Sequence, residues 1–129
     1  MIKLPDYSHI IFKKGDLYRQ FNLLKDTVRK MGIELSHYLW TTYAVELVIT
    51  CVLRNKDTGS QHSCYEAFDA RARTMAAEMI GAVILWGRDS FPRSDKIRRG
   101  DRLVPALPII AHGEGHNFHF HCSQDREVS

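Results

Sequence analysis

The sequence predicts an α+β fold: an antiparallel sheet with helices packed on one face. Three patterns carry that expectation. Two stretches repeat apolar residues at helical spacing, one stretch alternates with the period of a strand, and a glycine-rich turn separates two apolar runs near the C-terminus. The size agrees, since 129 residues, 44% of them hydrophobic, make about one domain with enough apolar material for a core. The order helix, strand, helix, strand, strand packs most economically as one sheet with its helices on one side. Residues 1–129 are therefore expected to form a single domain, with an N-terminal arm and helix over 1–37 and a core over 38–125.

The elements follow in order. Met1 to Phe12 ends in the apolar run Ile10-Ile11-Phe12 and is expected as an edge strand or a loose arm. Leu17, Phe21, Leu24, Val28 and Met31 form one helical stripe, with Asp16 placed as N-cap and Gly32 as the left-handed stop. Arg19, Lys25, Asp26 and Arg29 lie on its opposite, wet face. Tyr43 to Leu53 alternates as a strand with two partly apolar faces, which suits a central position. Arg54 to Ser60 is a turn or loop. Ser63 and Glu66 then form a capping box, and Phe68, Ala72, Met75, Met79, Val83 and Trp86 repeat at helical spacing as core, up to Gly87.

Arg88 to Arg102 is a basic connection, either a solvated loop or a phosphate-contacting one built from Arg98, Arg99 and Arg102. Leu107 to His112 and Phe118 to Ser123 flank Gly113-Glu-Gly-His-Asn117, the pattern of a β-hairpin. Its first arm pairs regularly only after Pro108, because proline donates no ladder hydrogen bond.

Composition narrows the classes of function. No apolar run reaches the roughly 18 to 20 residues that span a bilayer, so no membrane partner is expected. No secretory signal is visible at the N-terminus. Cys51, Cys64 and Cys122 are an odd number without pairing pattern, which suits a reducing cytoplasm. The net charge of +3 permits a nucleic-acid partner without demanding one. Oligomeric state is left open.

The chemistry concentrates in His112-Gly-Glu-Gly-His116-Asn-Phe-His119-Phe-His121. His119 and His121 stand two apart on an expected strand, so their imidazoles project from one face while Phe118 and Phe120 turn to the core. Two such imidazoles hold a divalent ion between them, and their mutual repulsion discourages double protonation. His112 is the first choice for a third ligand, because the hairpin returns its strand end towards the pair. Glu114 and His116, in the turn, rank behind it. The bland alternative is a set of surface strand histidines. His9, His37 and His62 are isolated, and the cysteines lack zinc-finger spacing.

The segment His119-Phe120-His121 resembles the His-hydrophobic-His motif of the HUH endonucleases, the rolling-circle replication initiators and relaxases. Leu47-Val48-Ile49-Thr50 looks like the first motif of plasmid and phage initiators, and the order of elements over about residues 38–125 is similar to their core. The resemblance implies a ferredoxin-like or RNA-recognition-like sheet and a nicking and joining activity on single-stranded DNA. It implies Mg²⁺ or Mn²⁺ on His119 and His121, and a tyrosine that attacks the phosphodiester. A metal there neutralises charge at the scissile phosphate as a Lewis acid.

One departure stands out: initiators carry that tyrosine after the His-x-His strand, whereas no tyrosine follows Tyr65 and the sequence stops at Ser129. The sequence is then a fragment or truncated product, or uses an upstream nucleophile, for which Tyr18 is the available helical tyrosine, or has lost cleavage. Tyr18, Tyr38, Tyr43 and Tyr65 also read as packing residues. The alternatives are a non-catalytic nucleic-acid-binding module of the same fold, a small metal-binding or assembly protein, and a different metal-dependent hydrolase using the same histidines.

Overall fold

The structure, a computed structural model, describes residues 6–52 and 65–124. Among these the chain forms β1 (Ile10–Phe12), α1 (Gly15–Asn22), α2 (Asp26–Tyr43), β2 (Leu47–Cys51), β3 (Ala67–Arg71), α3 (Ala77–Ser90), β4 (Lys96–Arg99), β5 (Arg102–Pro105), β6 (Ile109–His112) and β7 (His119–Ser123). Five strands make one sheet in the order β1-β2-β3-β7-β6, while β4 and β5 form a separate hairpin. The class is α+β, as expected.

The sheet is mixed rather than wholly antiparallel. β1 runs parallel to β2, and the other neighbours are antiparallel. The reason lies in the connection. Both α1 and α2 intervene between β1 and β2, and a helical crossover returns the chain in the same direction.

The expected first helix is two helices. Its stripe residues are buried as foreseen, but Lys25 adopts an extended backbone and breaks the run. Arg29, expected to be wet, instead bridges the break, donating from Nη1 to the Asn22 carbonyl at 2.9 Å and from Nη2 to Asp26 Oδ1 at 2.8 Å. It thus satisfies a carbonyl at the end of α1 that the helix leaves without a partner. Asp16 lies in the first turn of α1 rather than at its cap. Gly32 is no stop signal: it is buried inside α2, where a Cβ would come within 2.8 Å of the Phe21 ring. α2 then continues to Tyr43, so the following strand is shorter than the 43–53 expected.

The expected second helix is a strand followed by a helix. Phe68 lies in β3, and Ala72 follows its last residue. Helical spacing at 68, 72 and 75 coincides with a period of two over Ala67 to Ala72, and the strand prevails because β3 is flanked on both edges, by β2 and β7. Glu66 precedes β3 and starts no helix, while its partner in the expected capping box, Ser63, lies outside the described residues. Gly87 is interior to α3. The basic connection is the end of α3 and the β4–β5 hairpin. The C-terminal hairpin forms as expected, with β6 starting directly after Pro108.

Register then sorts the side chains. Phe68 faces Cys122, Ala70 faces Phe120, and Ile109 faces Cys122 across the ladders. These residues join Leu47, Ile49 and the apolar stripes of α1, α2 and Val83 of α3 in one buried cluster. Burying a side chain such as Phe68 or Phe120 contributes about 1.5–3 kcal/mol each. The helices occupy that face of the sheet. The reverse face receives the alternate residues of β3, β6 and β7.

Candidate functional site

Two cross-strand rows cross the reverse face. Asp69, His121 and Ile110 make one row; Arg71, His119 and His112 make the next. The pleat dictates this, because alternate residues of each strand share a face. His119 and His121 therefore project together, as their spacing predicts.

Asp69 is buried beneath them. Its Oδ1 lies 3.3 Å from His121 Nδ1, and its Oδ2 lies 3.7 Å from His119 Nε2. His119 Nδ1 is 2.6 Å from the Asn117 carbonyl oxygen. A carbonyl only accepts, so Nδ1 carries the proton, and Nε2 of the neutral ring is an acceptor turned towards a carboxylate. At 3.7 Å the two acceptors make no direct hydrogen bond, and the gap between them is open to a cation.

The neighbouring side chains are cationic. Lys13, Arg71 and Arg73 line a cavity of about 290 Å³ together with Asp69, Thr50 and His119. Thr50 donates to the Asp69 carbonyl at 3.4 Å, beside an irregularity in the β2–β3 register. Arg73 Nη1 is 3.0 Å from His116 Nδ1. A guanidinium only donates, so this ring nitrogen accepts and His116 is turned away from the metal-ligand role considered for it.

The other expected site residues distribute as follows. His112 is exposed, and its ring lies edge-on to that of His119 with centroids 5.4 Å apart. It neighbours His119 rather than Asp69. Arg98, Arg99 and Arg102 are exposed on the β4–β5 hairpin and do not line the cavity. That hairpin is anchored at the far end of β7, where Arg93 pairs with Asp95 at 2.6 Å and donates to Ser123 Oγ at 2.6 Å. Tyr18 is exposed on α1, edge-on to Tyr7 and Phe12, and does not line the cavity either.

Sequence reasoning missed Asp69, Arg71 and Arg73, because it placed them on a helix. The signal was present in Ala67-Phe-Asp-Ala-Arg-Ala72, where charges alternate with apolar residues at the period of a strand.

Two imidazoles and a carboxylate are donor types that ligate divalent ions. Tetrahedral ligands at about 2.1 Å stand about 3.4 Å apart, close to the two Asp69–histidine separations. Among the described residues, however, no three His, Cys, Asp or Glu side chains form a ready-made metal site. No protein-family model, curated protein or solved structure matches the chain.

Proposed function

We propose that the reverse face of the sheet is a divalent-metal centre that hydrolyses an anionic substrate. One observation carries the proposal: the buried carboxylate of Asp69 reaches towards both His119 and His121. Two imidazoles and a carboxylate with open positions form the ligand set of hydrolytic zinc sites, and they also suit Mn²⁺ better than Mg²⁺. Such an ion would supply Lewis-acid polarisation of the scissile group.

The chain's own residues do the rest. Asp69, His119 and His121 would hold and orient the ion, with His112 beside His119. Lys13, Arg71 and Arg73 attract the anionic group next to the scissile bond. Both a phosphodiester and a carboxylate-flanked amide have that chemistry. Single-stranded DNA is the first substrate to test, because the exposed arginines of the β4–β5 hairpin belong to the same chain. Water is favoured over tyrosine as nucleophile, since Tyr18 lies outside the cavity.

The experiment is calorimetric titration of the metal-free protein with Mn²⁺ and Zn²⁺, followed by incubation with a labelled single-stranded oligonucleotide and with a carboxylate-ended peptide. One ion per chain is expected, bound at least about tenfold more weakly by Asp69→Asn, together with chelator-sensitive cleavage of one substrate. Equal affinity in Asp69→Asn, or no binding by the wild type, overturns the metal centre. Oligonucleotide binding that falls steeply with salt yet ignores chelator supports the non-catalytic module instead. A covalent protein–DNA adduct returns the tyrosine mechanism.

A further inference from the structure

The loop between β6 and β7 brings a backbone carbonyl against the His119 ring. Asn117 closes a 3-10 turn over Gly115–Asn117, its N–H donating to the Glu114 carbonyl at 3.0 Å. Its own carbonyl is thereby left to aim at the His119 ring, 2.6 Å from Nδ1. The approach is possible because Gly113 stands on the other side of that carbonyl. A Cβ on Gly113 would fall 2.4 Å from the Asn117 oxygen and 3.0 Å from its carbonyl carbon, and 3.5 Å from His119 Nδ1. The first two are backbone atoms, so no rotamer change relieves the clash. Gly113 also has φ +92°, which disfavours any residue with a side chain.

We infer that Gly113 is a positioning residue: by leaving room for the Asn117 carbonyl, it holds the His119 proton on Nδ1 and directs the Nε2 lone pair at Asp69. Histidines that bind metal commonly donate their second ring N–H to such a carbonyl, which fixes both tautomer and ring orientation. The functional consequence rests on the metal-centre reading above; the tautomer does not.

Gly115 supplies the control. It shares the left-handed backbone, with φ +57°, but has nothing within 4 Å of an added Cβ. Gly115→Ala therefore imposes backbone strain without the obstruction, whereas Gly113→Ala imposes both. Asn117→Ala keeps the carbonyl and removes only the amide side chain.

The test is ¹⁵N-histidine NMR of the metal-free protein at a pH where the ring is neutral. Wild type, Gly115→Ala and Asn117→Ala are expected to show His119 with its proton on Nδ1. Gly113→Ala is expected to lose that tautomer and to bind Mn²⁺ or Zn²⁺ about 10–100-fold more weakly. A wild-type ring protonated on Nε2 overturns the inference, and that spectrum decides even if Gly113→Ala does not fold. An unchanged tautomer in Gly113→Ala, or an equal loss in Gly115→Ala, also overturns it. Because the tautomer is measured without metal, failure of the wild type to bind an ion sinks the hydrolase reading and leaves this result standing.

Discussion

Cys122 and His121 are adjacent in sequence and opposite in chemistry. The pleat turns His121 to the face that carries Asp69 and seals Cys122 in the core beside Phe68 and Ile109. Burial pushes the Cys122 thiol well up, and the charge of Asp69 adds to the effect. The thiol therefore stays protonated at neutral pH and is no nucleophile. Its stabilising contribution is full below the ordinary thiol range and is lost as pH rises through the higher folded value. Cys122 is expected to resist a thiol-titrating reagent at mildly alkaline pH until urea unfolds the chain, while the partly exposed Cys51 reacts earlier. Cys122→Ser places a hydroxyl in that core and should lower stability by about 1–3 kcal/mol in urea denaturation. At this scale His119 and His121 were legible, because the two-residue spacing admits one arrangement on a strand. Asp69 was not, because its role depends on which strand lies beside β7, and pairing partners are not written locally.

Glycines show how far an element's neighbours override its propensities. Gly81 and Gly87 both sit in α3, where alanine is ordinarily better by about 1 kcal/mol. Gly81 has nothing within 4 Å of an added Cβ, so Gly81→Ala should stabilise by roughly that amount. At Gly87 the Cβ would come within 2.8 Å of two atoms of the buried Ile109 side chain. Gly87→Ala should therefore destabilise, by about 1–3 kcal/mol of overpacking. Opposite shifts in the midpoint of urea unfolding check the pair. The same interplay explains what was legible among the elements. The C-terminal hairpin announces its own turn and its own proline boundary. Gly32 and Gly87 look like helix stops, but they mark where Phe21 and Ile109 press against a helix, and a packing partner distant in sequence leaves no local mark.

For the whole molecule, the α+β class was legible because amphipathic periods and strand alternation suffice for it. The parallel edge was not, since Ile10–Phe12 is too short to disclose its direction. Two groups of cationic residues flank β7, one at the cavity at one end and one on the β4–β5 hairpin anchored at the other. If single-stranded DNA runs across both, replacing Arg98, Arg99 and Arg102 by alanine should reduce the slope of log affinity against log salt by about 2, from three contacts at roughly 0.7 each. Fluorescence anisotropy over a salt series measures that slope. An unchanged slope would confine any strand to the cavity.

The separation of the two sheet faces has a further consequence. Phe68, Phe120 and Cys122 hold the helices, while His119, His121 and Arg71 alternate with them on the same strands and take little part in that packing. Mutational tolerance is thus divided along the strands: Arg71, His119 and His121 are partly exposed and can vary their chemistry, while Phe68, Phe120 and Cys122 maintain the scaffold. A lineage built on this sheet can acquire new reactivity through those three positions without first evolving a new core.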